Sequence, residues 1–461
     1  MRVLLIAIVT LLLAAPAADA RKSQFTIFEA GREIRSHDLA ERAQLLDEVD
    51  RFGVRRLRVV MYWRDVAPDP DAASEPHFDE SDPAAYNWTT YERIVNEARA
   101  RGIRVMFTPS GPAPDWATLT GDGVAYPSPT RFRRFMTAVG RQFGSRVSLW
   151  SIWNEPNHPQ FLAPQYRGGK PYSPRLYRRL FWAAHKALNA TGNRRDRVLM
   201  GETAPRGNRN VVHPLRFLRG SLCLNGRYRK RRGCHRLPAD GYAHHPYTTR
   251  AGPFFVSRRR NDVTIGSLWR LTRALRRAER ARAIPRRTPI YLTEFGIQSK
   301  PDPVYGVGQR RQAEYRAIGE KIAWNTGRVR AISQYLMRDD LPGRGRNRYG
   351  GFESGLRFAD GRKKLSYRGF RLPMVAQRSG RRRVRLWGYV RPHDGRERVE
   401  IQYRNRRGKK WRWLKGDRTG RRGYWMTSTR YRGGRTYRVR WRADHGTRYA
   451  GSRTRVVRWR R

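Results

Sequence analysis

Between Gln24 and Phe370 one event recurs along the chain: a short apolar segment, then an amphipathic one. The apolar segments are Gln24–Phe28, Leu57–Tyr62, Arg104–Thr108, Val147–Trp153, Arg197–Glu202, Gly241–His244, Pro289–Thr293 and Ala331–Leu336. Helical spacing marks Leu39–Phe52, Tyr86–Arg101, Thr130–Phe143, Leu176–Leu188, Ile265–Arg282 and Arg310–Trp324 between them. Eight strand segments alternating with helices over some ~350 residues imply a parallel (β/α)₈ barrel with insertions. The alternative is a doubly wound open sheet, which normally carries a Gly-rich phosphate turn after its first strand; none stands here.

After Phe370 the pattern changes, and from about Arg381 the period is two, in runs such as VRLWGYV, RVEIQYR, YWMTSTRY and TYRVRW, with turns at His393-Asp394-Gly395, Arg407-Gly408 and Gly433-Gly434. Six or seven antiparallel strands in an immunoglobulin-like sandwich are expected. The resulting division is a leader over 1–20, a barrel domain over 21–375 and a basic β-sandwich over 376–461. The leader is read from Met1-Arg2, the apolar run Val3–Leu13 and the small residues Ala18-Asp19-Ala20, which together form a secretory signal peptide. That run is too short to cross a bilayer, and no later segment approaches ~20 apolar residues, so no transmembrane segment is expected. The expected location is secreted, extracellular or associated with the cell envelope.

The two cysteines, Cys223 and Cys234, lie in a polar, basic loop with ten residues between them. In an oxidising compartment this pattern points to a disulfide. A metal site would need a fourth ligand besides His235, and none is clustered there, so no metal is expected. The formal charge of +60 raises a nucleic-acid reading. Arg, however, makes up nearly all of the 98 basic residues, as a coding bias also would produce, and these residues are spread over the chain rather than gathered in a block. A cationic surface on an exported protein is the plainer reading, with no specific nucleic acid as partner. Residues 371–461 hold 31 Lys and Arg against 5 Asp and Glu, which keeps an anionic envelope polymer in view as a partner of the sandwich.

A barrel carries functional side chains at the C-terminal ends of its strands. Two glutamates stand there in short, specific contexts: Glu155 in WSIWNEPN after the fourth strand, and Glu294 in IYLTEFG after the seventh. Two carboxylates facing each other across one mouth, in different environments, are what glycosidic bond hydrolysis requires. Further positions in the same register are Arg58 and Trp63 in GVRRLRVVMYW, Trp116 in TPSGPAPDW, His245 and Tyr247 in YAHHPY, and Tyr335 in SQYL. Trp63, Trp116 and Tyr335 are candidates to stack on sugar faces, although aromatics at strand ends as often fill core or rim. Glu202, after the fifth strand, is a further carboxylate at the mouth, read as structural or substrate-lining.

These motifs, in this order, resemble glycoside hydrolase clan A, the retaining barrel glycosidases, over about Gln24–Phe370. The Trp-rich WSIWNEPN and TPSGPAPDW stretches look closest to the β-xylosidase and iduronidase family, then to the cellulase family. Pro109-Ser110-Gly111 stands where the latter usually has a His after strand three, and Gln334-Tyr335 where a Trp is common after strand eight. The resemblance implies Glu155 as general acid/base, Glu294 as nucleophile, Asn154 as a donor to the sugar 2-hydroxyl, and Arg58, His245 and Tyr247 around the nucleophile. It implies no cofactor and a β-linked poly- or oligosaccharide as substrate, and the net charge adds an acidic polysaccharide to that expectation. The rival reading is a non-catalytic cationic protein that binds polysaccharide or envelope polymer on a barrel scaffold.

Overall fold

The computed structural model describes residues 24–345 and 348–458; the leader sequence lies outside the described residues. Eight strands close into a parallel barrel: β1 Phe25–Glu29, β2 Arg56–Tyr62, β3 Arg104–Ser110, β4 Leu149–Ser151, β5 Arg197–Thr203, β6 Gly241–His244, β7 Ile290–Leu292 and β8 Val329–Tyr335. Each strand pairs with its sequence neighbours, and β1 closes on β8 with Phe25 opposite Ala331 and Glu29 opposite Tyr335. The expected barrel is therefore present, with strand ends moved by a few residues at most.

The helices are α1 Leu39–Arg51, α2 Thr89–Ala100, α3 Pro129–Phe143, α4 Ser173–Ala190, α5 Pro214–Ser221, α6 Leu268–Arg280, α7 Gln309–Asn325 and α8 Leu365–Arg371. Their starts follow local chemistry. Asp38 caps α1 by accepting from the amides of Ala40 at 2.8 Å and Glu41 at 3.3 Å, and Ser128 caps α3 with Pro129 at its first position. Each such cap is worth about 1 kcal/mol. Helix α3 buries Phe132, Phe135, Met136, Val139 and Phe143, one stripe at helical spacing. That stripe joins the continuous core between helices and strands. Inside the barrel, Ile27, Met106, Leu149, Leu199, Ala243, Tyr291 and Ala331 form a separate apolar layer with one residue from each of seven strands. Strand β2 contributes Arg58, opposite Met106 and fully buried. A guanidinium in that position requires carboxylates around it.

The C-terminal unit has eight strands: β9 Met374–Ser379, β10 Arg383–Tyr389, β11 Arg398–Arg404, β12 Arg412–Arg418, β13 Tyr424–Arg430, β14 Thr436–Arg442, β15 Arg448–Ala450 and β16 Thr454–Val457. Pairing is antiparallel except between β9 and β16, and β16 links the β9–β10–β13 group to the β11–β12–β14 group. The two groups enclose their own core, including Leu386, Ile401, Trp425, Tyr437, Val439 and Trp441. The unit opens with its first strand at Met374, two residues before position 376. It packs lengthwise on α7. Trp387 meets Trp324 at 5.9 Å, and Arg391 ion-pairs with Glu320 while donating to the Phe370 carbonyl at 2.8 Å. Among the described residues no helix is long and apolar enough to cross a membrane, and Cys223 and Cys234 form a disulfide.

Candidate active site

The fourth strand ends early. Ile152 still donates to Leu199, but the backbone turns to φ 66° at Trp153 and φ 34° at Glu155, a conformation side chains rarely adopt and functional turns often hold. The turn is fixed from below. The Trp153 amide donates to the Pro109 carbonyl at 3.0 Å, and its indole donates to the Phe161 carbonyl at 2.8 Å. The ring packs so closely under Gly111 that a Cβ there would lie 2.7 Å from it. The Asn154 amide then donates to the Ser110 hydroxyl at 3.0 Å. Asn154 and Glu155 are thereby presented together at the mouth.

A bulge in β5 positions the next carboxylate. Register slips by one residue between Met200 and Thr203, where Gly201 has φ +115° and Glu202 φ 50°. A Cβ at Gly201 would meet the Ala243 carbonyl at 2.4 Å, so only glycine allows the bend. It places the Glu202 carboxylate inside the barrel, fully buried, between Arg58 and His245.

Arg58 is the hub. Its Nη1 donates to Glu294 at 2.9 Å and also to Glu29; its Nη2 donates to the Asn154 Oδ1 at 2.7 Å and also to Glu202. His245 is the second hub. Its Nε2 lies 2.8 Å from Glu202, while its Nδ1 lies 2.9 Å from Glu155 and 3.4 Å from Glu294. The Tyr247 hydroxyl donates to the other Glu294 oxygen at 2.9 Å. One atom from each of Glu155, His245 and Glu294 lies within 4.8 Å of the other two, so the two carboxylates nearly meet across the mouth.

The charges sort themselves. Burial disfavours ionised Glu202, but the Arg58 and His245 charges win and hold its carboxyl down at about 2. Burial likewise works against charge on His245, yet Glu294, Glu155 and Glu202 push it up to about 10. Burial pushes the Glu29 carboxyl up to about 8, against Arg58 and aided by Glu294. Burial also raises Glu294, opposed by His245 and Arg58. His244 is different: burial takes it down to about 3, and its nitrogens bond to Thr203 at 2.9 Å and the Val263 carbonyl at 2.8 Å. When charged, His245 donates from both ring nitrogens, to Glu202 on one side and to Glu155 on the other.

The structure thus brings Glu155, Glu294, Asn154, Arg58, His245 and Tyr247 together. Tyr335 joins their rim, with its ring 6.0 Å from Tyr247 and 4.9 Å from Phe352. Trp63 and Trp116 do not join it. Trp63 is fully buried, stacked on Phe135 at 5.1 Å and edge-on to Trp116 at 6.1 Å, while Trp116 is 5% exposed and donates to the Pro68 carbonyl. Both fill the core beside α3, and neither offers a face to the mouth. Glu29 was missed by sequence reasoning, although it stands at the tip of β1 as Glu155 and Glu294 follow theirs.

A cavity of about 830 Å³ opens from Glu155 and Tyr247 outward to Phe352, with Arg206, Arg258 and Arg259 along its wall. No protein-family model matches the chain, and no curated protein matches it. Solved structures similar to it include xylanase 10B from Thermotoga maritima, at 16% identity over 76% of this chain and 94% of that one, with a TM-score of 0.46. A GH5_18 from Bifidobacterium longum subsp. infantis is 15% identical over 76% and 77%, with a TM-score of 0.49. The beta-D-glucuronidase of Dictyoglomus thermophilum is 14% identical over 75% and 49%, with a TM-score of 0.41.

Proposed function

We propose that the chain is an exported retaining glycoside hydrolase that cleaves β-glycosidic bonds by double displacement. The observation that carries this reading is the near approach of Glu155 and Glu294, one carboxylate oxygen of each lying within 4.8 Å of the other. Retaining enzymes hold their two carboxyls about 5–5.5 Å apart, whereas inverting ones leave room for a water at ~6.5 Å or more.

Glu294 is the nucleophile. Its two oxygens are oriented by Arg58 and Tyr247, which leaves the carboxylate fixed for attack at the anomeric carbon. Glu155 gives its proton to the leaving oxygen in the first step and, as base, takes one from water in the second. The Asn154 carbonyl oxygen is engaged by Arg58, so its amide N–H₂ is free to donate to the sugar 2-hydroxyl, a bond that tightens in the oxocarbenium-like transition state.

The charge balance supports the sequence of steps. Two cations, Arg58 and His245, face ionised Glu202 and Glu294 before reaction. Once Glu294 is esterified its charge is gone, and Glu155, having lost its proton, supplies the second negative charge beside His245. The buried site therefore keeps its net charge through both steps, and no large charge must be created in low dielectric. The three guanidinium groups on the cavity wall favour a substrate with acidic sugars, in poly- or oligosaccharide form.

The test is a panel of aryl β-glycosides and acidic polysaccharides with the wild type, Glu155→Ala and Glu294→Ala. Both variants should lose at least ~10³-fold in kcat on the best substrate. Hydrolysis at the wild-type rate by either one sinks the mechanism.

A further inference from the structure

A second cleft lies where the sandwich meets the start of α7. It encloses about 490 Å³, and its lining includes six arginines: Arg310, Arg404, Arg406, Arg435, Arg453 and Arg455. One carboxylate shares that lining, Glu314. Burial pushes the Glu314 carboxyl up, and it accepts from the Arg455 backbone amide at 3.3 Å rather than from a guanidinium.

Several arginines elsewhere in the chain are answered by carboxylates. Arg42 pairs with Glu97, Arg146 with Glu92, Arg328 with Glu279 and Arg357 with Glu48. Even the other large groove of the sandwich interleaves its arginines with Glu397, Glu400, Asp417 and Asp444. Among the described residues none of the six cleft arginines makes an ion pair with a carboxylate of the chain. Their mutual repulsion shows in Arg453, held below the usual guanidinium range by burial and then by Arg310, Arg404 and Arg455. Six like charges around one cavity are a standing cost to the fold, and an external anion would remove it.

The shape and lining select among anions. Tyr431 is the one aromatic residue in the lining, and the Arg378 guanidinium sits 3.3 Å over its ring. With one face of that ring covered, the lining offers no row of aromatic faces for successive bases, which single-stranded nucleic acid uses for much of its affinity. Asn405 and Thr436 also line the cleft; the Asn405 Oδ1 accepts from Arg435 at 3.2 Å, and its amide N–H₂ suits a hydroxyl acceptor. Position matters as well. Helix α7 follows β7, so its first turn, which carries Arg310, lies on the side of the barrel where the strands deliver Glu155 and Glu294.

We propose that this cleft is a binding site for an anionic polysaccharide, its repeated carboxylate or sulfate groups replacing the counter-charges the chain does not supply. The assignment stands apart from the catalytic reading, because binding is measured without turnover. The experiment compares the full-length protein with Arg310→Gln/Arg453→Gln/Arg455→Gln and with Arg273→Gln/Arg276→Gln/Arg280→Gln. The latter removes the same charge from the exposed face of α6. Binding to polygalacturonate, dextran sulfate, neutral dextran and duplex DNA is measured by titration at several salt concentrations.

The cleft triple should lose at least ~10-fold in affinity for the acidic polysaccharides and lower the salt slope by roughly 2–3. The α6 triple should change less than ~3-fold. Polygalacturonate against dextran sulfate distinguishes carboxylate from sulfate. A separate readout follows from the repulsion: without ligand the cleft triple should melt no lower than the wild type, and acidic polysaccharide should raise the Tm of the wild type and of the α6 triple but not that of the cleft triple. Equal losses in both triples would assign binding to diffuse charge and overturn the site. So would tighter binding of duplex DNA than of either acidic polysaccharide, binding of neutral dextran alone, or a cleft triple that melts well below the wild type.

Discussion

Glu202→Gln isolates the charge that holds the site together while keeping its shape. The native carboxylate is fully buried and answers both Arg58 and His245. Its carboxyl is held at about 2 instead of 4.5, a depression equivalent to about 3 kcal/mol of folding stability. Glutamine keeps one acceptor for either cation but turns an N–H₂ toward the other, so the expected loss at pH 7 is about 2–4 kcal/mol. The pH dependence follows from the sign. A depressed carboxyl stabilises the fold above its unfolded value, and that stabilisation is lost as pH falls through the folded one. The gap between wild type and variant should therefore close between about pH 4.5 and pH 2. Urea unfolding followed by near-UV circular dichroism reads it as a midpoint lowered by about 1 M at pH 7 with m unchanged. A gap under about 0.5 kcal/mol at pH 7, or one that persists unchanged to pH 2, would refute the view that Glu202 is the buried counter-ion.

The alkaline limb is set by other groups. His245 is raised to about 10, so its stabilisation is full below about 6.5 and is lost as pH rises through 10. Glu29, raised to about 8, adds a loss that begins at about pH 4.5 and is complete at about 8, where its proton leaves a site it shares with Glu294. Melting temperature should fall between about pH 4.5 and 10, and Glu29→Gln should flatten the part of that fall below about pH 8. Tyr247→Phe removes one donor to Glu294 and leaves the ring packed against Phe352 at 5.5 Å. Initial rates should show kcat/KM lower by about 10–100-fold, with thermal stability changed by less than about 1 kcal/mol.

Much of this was legible in the sequence because the barrel repeats a signal. Eight apolar runs in turn with helical spacing leave few topologies, and Glu155 and Glu294 stand out as charges at the ends of runs that are otherwise buried. Glu29 carried no comparable mark. A polar residue at the end of a strand is ordinary, and only closure of β1 on β8 puts it against Arg58. The role of Glu202 hangs on a bulge that a hydrophobic pattern does not encode. Trp63 and Trp116 follow strand ends as mouth residues do, but Trp63 packs on Phe132 and Phe135 of α3, and Trp116 packs edge-on to Trp63 and Phe78. Helices α5 and α8 are eight and seven residues long, too short for periodicity to declare. Strand β9 escaped because it begins before the two-residue alternation, and its partner β16 lies eighty residues on. The disulfide, by contrast, needed only two cysteines close in sequence.

The most direct test is covalent trapping with activated 2-deoxy-2-fluoro-β-glycosides, choosing the sugar from the panel above and locating the adduct by peptide mass spectrometry. The double-displacement account expects one stable glycosyl ester, on Glu294, with Glu155→Ala slowing its hydrolysis further. An adduct on Glu29, Glu155 or Glu202, or a first-formed product of inverted configuration, would contradict it.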